Sequence, residues 1–381
     1  QGRLESSVVD PLHLEEFRRV FRRNVEDNWN RYSYPFVPNG AASKGFKRAE
    51  GGNWNEEPFS RECRIERVIS SGKPRVVTMY SSHNVSVLTP LHKSLFRSMQ
   101  RGGANHWLLV GPPTDERVAG LTGSGPFVSS DYTAATDSIN LCYVRVMVQE
   151  LISKSRGLTS EEKRCLQALS GLTIDGKQAV SGQPMGSPMS FPLLCILNKT
   201  LFDMSMNDLL RSGKVGFREW TGHRCLVNGD DLLFKEIGKK VLLKERLKHH
   251  ASMVGISLNE EKTLLNERVA EINSTAFSCC RELPKTNVKA LYMEPEESDV
   301  LGYALRSTTT KAAFRQIVRD NAHILARQTE KTLFGFPLWV KAICRRDRKI
   351  RKALCLIPSP KQDPVRNVFT VAPRPQGYDL T

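Results

Sequence analysis

"CLVNGDDLLFK", residues 225–235, places two adjacent carboxylates between two apolar runs. Asn228-Gly229 predicts a hairpin turn between two strands, because both residues tolerate the positive φ that a two-residue turn requires. Asp230 and Asp231 follow at the tip, where their negative charges repel each other. Two interpretations stay open from this segment alone. It is either a solvated surface turn or a metal site, since Mg²⁺ prefers hard oxygen ligands held close together.

A partner for these aspartates is found in "GPFVSSDYTAATDSINLCYVRVMVQELISKS", residues 125–155. Its first residues predict an apolar strand that ends on Asp131, and its later apolar residues recur at helical spacing. Asp137 fits a helix N-cap or first-turn acid, and Asp131 fits a loop residue. The metal interpretation joins Asp131 to the paired aspartates, because two Mg²⁺ ions need carboxylates from separate strands to bridge them.

The third segment is "SGQPMGSPMSFPLLCILNKTLFDMSMNDLL", residues 181–210. A glycine-containing loop precedes a long helix that starts at Ser187-Pro188 or at Ser190 and runs to about Leu210. Such a loop lets a nucleotide or a template backbone approach closely, and it is also an ordinary connection. The P-loop pattern GxxxxGK[ST] is absent.

Composition bounds the class of protein. The 381 residues, with 40% hydrophobic and 25% charged content, predict a globular chain of two or three subdomains. Nine cysteines without a CxxC pair favour a reducing compartment, and no apolar run is long enough to span a membrane. Because the chain opens on Gln1 and has no leader, we expect a fragment of a longer protein.

The net charge of +16 indicates a polyanionic partner. Lys and Arg outnumber Asp and Glu by ten between residues 306 and 352, most densely in "CRRDRKIRK", residues 344–352. As one helix, this stretch places four basic residues on one side, at spacings of three and four: Arg345, Arg348, Lys349 and Lys352. We interpret the stripe as an RNA-facing surface, with a solvated helix face as the alternative.

A second basic stretch alternates cations with apolar residues. "CRIERVISSGKPRVVTMY", residues 63–80, predicts a hairpin with its turn at Ser71-Gly72. Arg64, Arg67, Lys73 and Arg75 would be held on a rigid support there, which suits phosphate binding.

The order of these segments resembles a known family. The basic hairpin, "DYTAATD", "SGQPMGSPMSF" and "NGDD" resemble motifs F, A, B and C of viral RNA-dependent RNA polymerases. "GISLNEEKTLLNERVAEINSTAF", residues 255–277, looks like motifs D and E, and "PNGAASKGF", residues 38–46, looks like motif G. The amino-acid sequences of these motifs are similar to those of the botourmiavirus (ourmia-like) branch, which is related to narnaviruses, mitoviruses and leviviruses. The resemblance covers roughly residues 60–280.

The resemblance implies an α+β right-hand polymerase, with fingers, a thumb and a palm whose antiparallel sheet is backed by helices. The implied regions are partial fingers (1–124), palm (125–150), a fingers insertion (151–180), palm (181–280), thumb (281–358) and a flexible tail (359–381). Because the N-terminal side is short for complete fingers, a longer polymerase is expected. The implied activity is RNA-templated RNA synthesis that replicates a positive-strand RNA virus genome.

The resemblance also implies roles for single residues. Asp131 and Asp230 would hold two Mg²⁺ ions, for which Mn²⁺ substitutes, with Asp231 beside them, and Lys262 would protonate pyrophosphate. Asp137 would read the ribose 2′-hydroxyl. The other implied nucleotide-binding residues are Ser181 and Gly182 in motif B, and Arg64, Lys73 and Arg75 in motif F. Motif B departs from the common Thr-x3-Asn pattern, so Asn198 either takes the ribose role in a shifted frame or that contact is missing.

Three alternatives stay open. A decayed viral insertion in a host genome would keep the fold and could lose activity, but no catalytic position is visibly damaged. A reverse transcriptase shares the palm, but usually has an aromatic steric gate in motif A and [FY]-x-DD in motif C; Asp137 and "NGDD" favour RNA synthesis. A non-catalytic basic RNA-binding protein explains the charge but not the ordered motifs. The partners expected are RNA template, RNA product and NTPs, with no obligate protein partner. The expected location is the host cytoplasm, with the mitochondrion as the alternative.

Overall fold

The structure, a computed structural model, describes residues 9–70, 73–101, 106–133, 135–283, 288–292, 294–296 and 298–356. The chain divides into two compact units, 1–285 and 286–381. The predicted tail, 359–381, lies outside the described residues. Among those described, no helix is long and apolar enough to span a bilayer. All nine cysteines are free thiols.

The centre of the first unit is a four-stranded antiparallel sheet in the order β10-β3-β8-β7. Its strands are β3 (Phe127–Ser130), β7 (Cys225–Asn228), β8 (Asp231–Lys235) and β10 (Leu264–Asn266). Because side chains alternate along a strand, the sheet contributes to two cores at once. Val227 and Phe234 enter the large helical core, whereas Leu226 and Leu233 enter a smaller core on the other face.

Helices pack against one face of this sheet. The principal ones are α1 (Pro11–Asn24), α4 (Leu141–Lys154), α6 (Ser190–Arg211) and α8 (Leu242–Val254). α6 is apolar on most of its surface and therefore lies in the interior, where it contacts α1, α8 and β7. It starts at the later of the two predicted positions, so Pro192 falls in its first turn and leaves the interior hydrogen bonds intact.

The opposite face carries a three-stranded antiparallel sheet, β11 (Val269–Ile272), β12 (Thr275–Ser278) and β13 (Arg281–Leu283). A two-residue turn, Asn273-Ser274, joins β11 to β12 with φ of 50° and 57°. Positive φ at both positions is the requirement of a type I′ hairpin turn. A short pair, β4 (Tyr132–Thr133) with β9 (Ser257–Leu258), ties the chain after β3 to the segment after α8.

The basic hairpin forms as predicted. β1 (Glu62–Ser70) and β2 (Lys73–Met79) are antiparallel, and β1 also pairs with β5 (Thr173–Ile174), which is joined to β6 (Lys177–Gln178). Four further helices belong to the first unit: α2 (Ser82–Met99), α3 (Asp115–Ala119), α5 (Ser160–Ala168) and α7 (Phe217–Gly222). α2 packs against α5.

The second unit consists of helices around a separate core. They are α9 (Val300–Ser307), α10 (Lys311–Asp320), α11 (Ala322–Arg327), α12 (Leu338–Arg346) and α13 (Arg348–Ala353). The prediction of one continuous basic helix is wrong, because the chain turns at Asp347, whose extended backbone separates α12 from α13. Four basic side chains are nevertheless exposed: Arg345, Arg348, Lys349 and Lys352.

Candidate active site

The turn between β7 and β8 differs by one residue from the prediction. Asn228 pairs with Asp231 across the strands, so the two turn residues are Gly229 and Asp230. Only Gly229 has a positive φ, 65°. A Cβ added to Gly229 would lie 3.2 Å from the Phe191 ring at the start of α6. The turn therefore requires glycine for its backbone angle and fits closely against α6.

Asn198 supports this turn from below. Its amide nitrogen donates to the carbonyl oxygens of Gly229 and Asp230, both at 3.2 Å, and its own oxygen accepts from the Tyr132 hydroxyl at 2.9 Å. The side chain has 0% exposure. Of the two alternatives for Asn198, this burial favours the one in which the ribose contact is missing, because both amide hydrogens already bond to protein oxygens. The Cys195 thiol accepts a further bond from the Gly229 N–H at 3.1 Å.

Asp131 follows the last residue of β3, beside the strand that carries Asp231. Lys262 lies across from it, with its Nζ 3.5 Å from the Asp131 Oδ2. The Asp131 carbonyl accepts from the Asn259 N–H at 2.8 Å, and the β4–β9 pair adjoins this contact. The structure thus brings together residues that are far apart in sequence. The Lys262 side chain is 69% exposed, so it remains open to a ligand from solvent.

The three aspartates interact electrostatically. Burial, followed by the charge of Asp230, raises the pKa of Asp231 to about 6, although a bond from the Asn273 N–H opposes this. Burial and the charge of Asp131 raise the pKa of Asp230, while Arg75 acts in the opposite direction. Asp230 and Asp231 therefore carry their charges at a cost in free energy, which a bound cation would offset.

The donor set suits hard divalent cations. All three predicted ligands are carboxylates, and Asp131 and Asp231 line a cleft of about 510 Å³ together with Lys262 and Glu271. The oxygens of Asp131, Asp230 and Asp231 do not all lie within 4.8 Å of one another. One Mg²⁺ with ligands at roughly 2.1 Å cannot reach all three in this arrangement.

Ser181 and Gly182 lie directly against Asp137. The Ser181 hydroxyl donates to the Asp137 carbonyl at 3.0 Å, and the Gly182 N–H donates to the Ile139 carbonyl at 2.6 Å. Gly182 has a φ of 87°, and a Cβ there would lie 2.6 Å from the Asp137 oxygen. Glycine is therefore required for this close approach. The Asp137 side chain is exposed above it.

The basic hairpin meets the loop before α6. The Thr78 N–H donates to the Met185 carbonyl at 2.8 Å, and a Cβ on Gly186 would lie 2.1 Å from the Thr78 oxygen. Arg75 is exposed and acts on the Asp230 carboxyl, as described above. Arg64 is partly engaged elsewhere, with Glu66 and the Ser43 carbonyl each 3.3 Å from its Nη2. The side chain of Lys73 lies outside the described part of the structure.

This arrangement of strands and helices also occurs in solved structures. The crystal structure of the RNA-dependent RNA polymerase of a human picorbirnavirus matches with a TM-score of 0.55 and 14% identity, covering 91% of this chain and 74% of that one. An insertion loop deletion mutant of such a polymerase matches with a TM-score of 0.50 and 13% identity, covering 85% and 72%. The fold is that of the viral RNA-dependent RNA polymerases.

The sequence comparison indicates which viral polymerases this chain resembles. The chain is 26% identical over 253 residues to the RNA-dependent RNA polymerase of Ourmia melon virus (isolate Melon/Iran/VE9), which covers 58% of this chain. The matched part spans 28% of that curated relative. No family model matches the chain. The predicted α+β polymerase fold and the resemblance to ourmia-like polymerases are confirmed.

In the terms of the polymerase family, motifs A, C and D meet at one cleft, and motifs B and F meet beside it. The functional roles of the predicted residues stay predictions. Sequence reasoning missed two residues of the cleft, Glu271 and Asn273, on the strand and turn after motif D. The alternation in "VAEI" was a usable signal, because it places Glu271 on the face opposite Ala270 and Ile272.

Proposed function

We propose that this chain is the catalytic part of an RNA-directed RNA polymerase that replicates a positive-strand RNA virus genome. The observation that carries the proposal is the meeting of Asp131, at the end of β3, with the Asp230-Asp231 turn and with Lys262. A non-catalytic RNA-binding protein needs basic side chains, but it does not need neighbouring carboxylates whose repulsion costs free energy. Nucleotidyl transfer does need them.

The metal ions would be two Mg²⁺, held by Asp131 and Asp230 with Asp231 beside them. When bound, they activate the primer 3′-hydroxyl and stabilise the charge on the leaving pyrophosphate. The buried Asn198 amide holds the backbone of Asp230 through its carbonyl oxygen, and the Asn273 N–H holds the Asp231 carboxylate. Pre-positioned charges of this kind need no rearrangement during the reaction.

The surrounding residues bind and orient the nucleotide. Lys262, 3.5 Å from Asp131, would donate a proton to pyrophosphate as it leaves. Arg75, with Arg64 and Lys73, would pair with the triphosphate. Asp137 would accept a hydrogen bond from the ribose 2′-hydroxyl, with Ser181 and Gly182 fixing the backbone beneath it. The substrates would be an RNA template and NTPs, and the host cytoplasm the location.

Asp230→Asn tests the proposal. Incorporation of NTPs on an RNA template in the presence of Mg²⁺ should fall by at least about a hundredfold, because a charge that stabilises the transition state is lost. The melting temperature should stay the same or rise, because repulsion from Asp131 and Asp231 is relieved. Asp175→Asn is the matched control, since Asp175 is an exposed turn residue with a φ of 47° that Asn also tolerates.

Near-normal incorporation by Asp230→Asn would contradict the assignment of the metal site. RNA binding without incorporation by the unaltered chain would favour the non-catalytic alternative. Equal use of rNTPs and dNTPs would favour the reverse transcriptase alternative. These outcomes are separable in one set of filter-binding and extension assays.

A further inference from the structure

Three side chains that bind transition metals meet away from the carboxylate cleft. They are His83 in the first turn of α2, and Glu161 and Cys165 on α5. One ligand atom from each lies within 4.8 Å of the other two. The His83 Nε2 is 2.6 Å from the Glu161 Oε1, and the Cys165 Sγ is 4.0 Å from the same oxygen. Among the described residues, this is the group of three that meets that distance limit.

The local sequence explains why these groups face each other. Residues four apart share one face of a helix, so Glu161 and Cys165 both point toward α2. The neighbouring Glu162 is engaged in a capping box with Thr159, whose N–H lies 2.8 Å from its Oε2. Of the two adjacent glutamates, Glu162 therefore caps α5, and Glu161 is directed at His83.

We propose that His83, Glu161 and Cys165 form a binding site for one zinc-like divalent cation that joins α2 to α5. Imidazole nitrogen, thiolate sulfur and carboxylate oxygen are the three ligand types that zinc combines, whereas Mg²⁺ takes oxygen ligands. A thiolate and a carboxylate balance the charge of the cation. Binding releases the proton of the Cys165 thiol to solvent.

The geometry requires only small movements. Tetrahedral zinc ligands lie roughly 3.3–3.7 Å from one another, between the two separations described above. The His83 and Glu161 side chains are 35% and 37% exposed, so both can shift and a water molecule can fill the fourth position. Cys165 is fully buried at the base of the site, which fixes one ligand firmly.

An ion pair between His83 and Glu161 is the competing explanation. It accounts for two of the residues and leaves Cys165 as a small buried apolar side chain, a common role for cysteine. Metal binding gives all three a role. It would also fasten the chain that leaves the basic hairpin at Met79 to α5, which lies between motifs A and B in sequence. The cation would therefore stabilise the packing of α2 against α5 and take no part in nucleotidyl transfer.

Metal binding by the purified full chain tests the proposal. After removal of metal with a chelator, the chain should take up about one equivalent of Zn²⁺. Co²⁺ in its place should give the intense visible absorption of a tetrahedral site and a sulfur-to-cobalt charge-transfer band. His83→Gln, Glu161→Gln and Cys165→Ser should each lose at least about 90% of the bound zinc, because three protein ligands are the minimum for such sites.

Two controls keep the result interpretable. Cys344→Ser removes a buried thiol from the other unit and should leave zinc uptake unchanged. His83→Gln alters a half-exposed side chain, so its fold should persist, and circular dichroism checks this. Zn²⁺ should raise the melting temperature of the unaltered chain but not that of His83→Gln.

Absence of zinc uptake by the unaltered chain would overturn the site, as would uptake by His83→Gln and Cys165→Ser equal to that of the unaltered chain. Asp230→Asn should bind zinc normally while losing RNA synthesis. The zinc site and the proposed polymerase function can therefore fail independently of each other.

Discussion

Gly186 adopts a backbone angle that side chains rarely allow, with a φ of 126°. A Cβ at this position would lie 2.1 Å from the Thr78 carbonyl oxygen, well inside any real contact. The obstacle is backbone of a paired strand, so it cannot rotate away as a side chain would. Glycine is therefore what lets the loop before α6 close on the basic hairpin.

Gly186→Ala should lower the free energy of unfolding by more than about 2 kcal/mol, through the strained φ and the displaced strand. Gly213→Ala is the matched control, because Gly213 has a φ of 65° and nothing within 4 Å of a built Cβ. It should cost about 1 kcal/mol, the price of the left-handed conformation alone. Equal losses in denaturant titrations would contradict the close approach at Gly186.

Asp137 gives a second test at the scale of one residue. If its carboxylate accepts a hydrogen bond from the 2′-hydroxyl, Asp137→Ala should lose rNTP efficiency while dNTP incorporation falls much less. A site built around a hydrogen bond discriminates against the analogue lacking it more strongly than an apolar pocket discriminates against an added hydroxyl. The measurement is kcat/KM for both sugars. Equal losses would make Asp137 a structural residue only.

At the scale of elements, Asp347 decides the shape of the basic segment. Its Oδ1 accepts from the N–H groups of Lys349 and Ile350, which starts α13, and its Oδ2 accepts from the Arg315 Nε at 2.7 Å. Burial opposes ionisation of this 3% exposed side chain, but the bond from Arg315, the N–H groups of Ile350 and Lys349 and the charge of Arg319 together outweigh it and lower the pKa. Periodicity of the cations alone predicts one helix, because it ignores this cap.

Asp347→Ala should lower the stability of the second unit by about 1–2 kcal/mol, since the N-cap of α13 is lost. Asp347→Asn keeps an oxygen for the cap and loses only the charge, so it should cost less. Because the folded pKa of Asp347 is depressed, its ionic contribution is present above pH 3.8 and is lost as pH falls through the folded pKa. Unfolding curves of the two variants at neutral pH separate the cap from the charge.

The exposed cations around Asp347 form the proposed RNA-binding surface: Arg345, Arg348, Lys349 and Lys352. Neutralising all four should weaken binding about equally for unrelated RNA sequences, because phosphate contacts carry no sequence information. Each lost contact should flatten the slope of log K against log salt by roughly 0.7–0.9. Arg345→Lys with Arg348→Lys keeps the charge and should keep the slope. A solvated helix surface predicts no change in the quadruple variant.

At the scale of the whole molecule, a buried chain of hydrogen bonds joins the helices of the first unit. Tyr143 on α4 contacts His13 on α1 at 2.7 Å, His13 contacts His250 on α8 at 2.9 Å, and His250 contacts Asp208 on α6 at 3.0 Å. Burial, followed by the charges of His250 and His249, lowers the pKa of His13 to about 4. The helices behind the sheet are therefore fastened through two histidines, His13 and His250, whose burial favours the neutral form.

Stability of the first unit should fall as pH decreases from 6.5 toward 4. Over that range the unfolded chain protonates His13 and the folded chain does not, so protons favour unfolding, by roughly 1.4 kcal/mol per pKa unit. His13→Gln should flatten the profile in denaturant titrations. His323→Gln is the matched control, because it removes an exposed histidine and leaves the buried chain of bonds intact. An unchanged profile for His13→Gln would contradict the role of this chain.

The sequence by itself determined the local features of this protein. The hairpin at 225–235, the strand just before Asp131 and the long helix to about Leu210, with two possible starts, were readable because each depends on a few neighbouring residues. Turn chemistry and periodicity act over that range. The turn was displaced by one residue, since Asn-Gly and Gly-Asp both satisfy a two-residue loop, and strand pairing chose between them.

The tertiary structure alone decided which distant residues meet. Lys262 reaches Asp131 because the strand order β10-β3-β8-β7 places β10 beside β3. The Asn273 N–H reaches Asp231 because β11, from the other sheet, packs against β3 and β8. The sequence left open whether Asn198 contacts the ribose, and the structure places it beneath the turn, since packing of α6 buries that face completely. Local patterns encode which face of an element is apolar. They do not encode which surface of another element will cover it, because that is settled by the packing of the whole core.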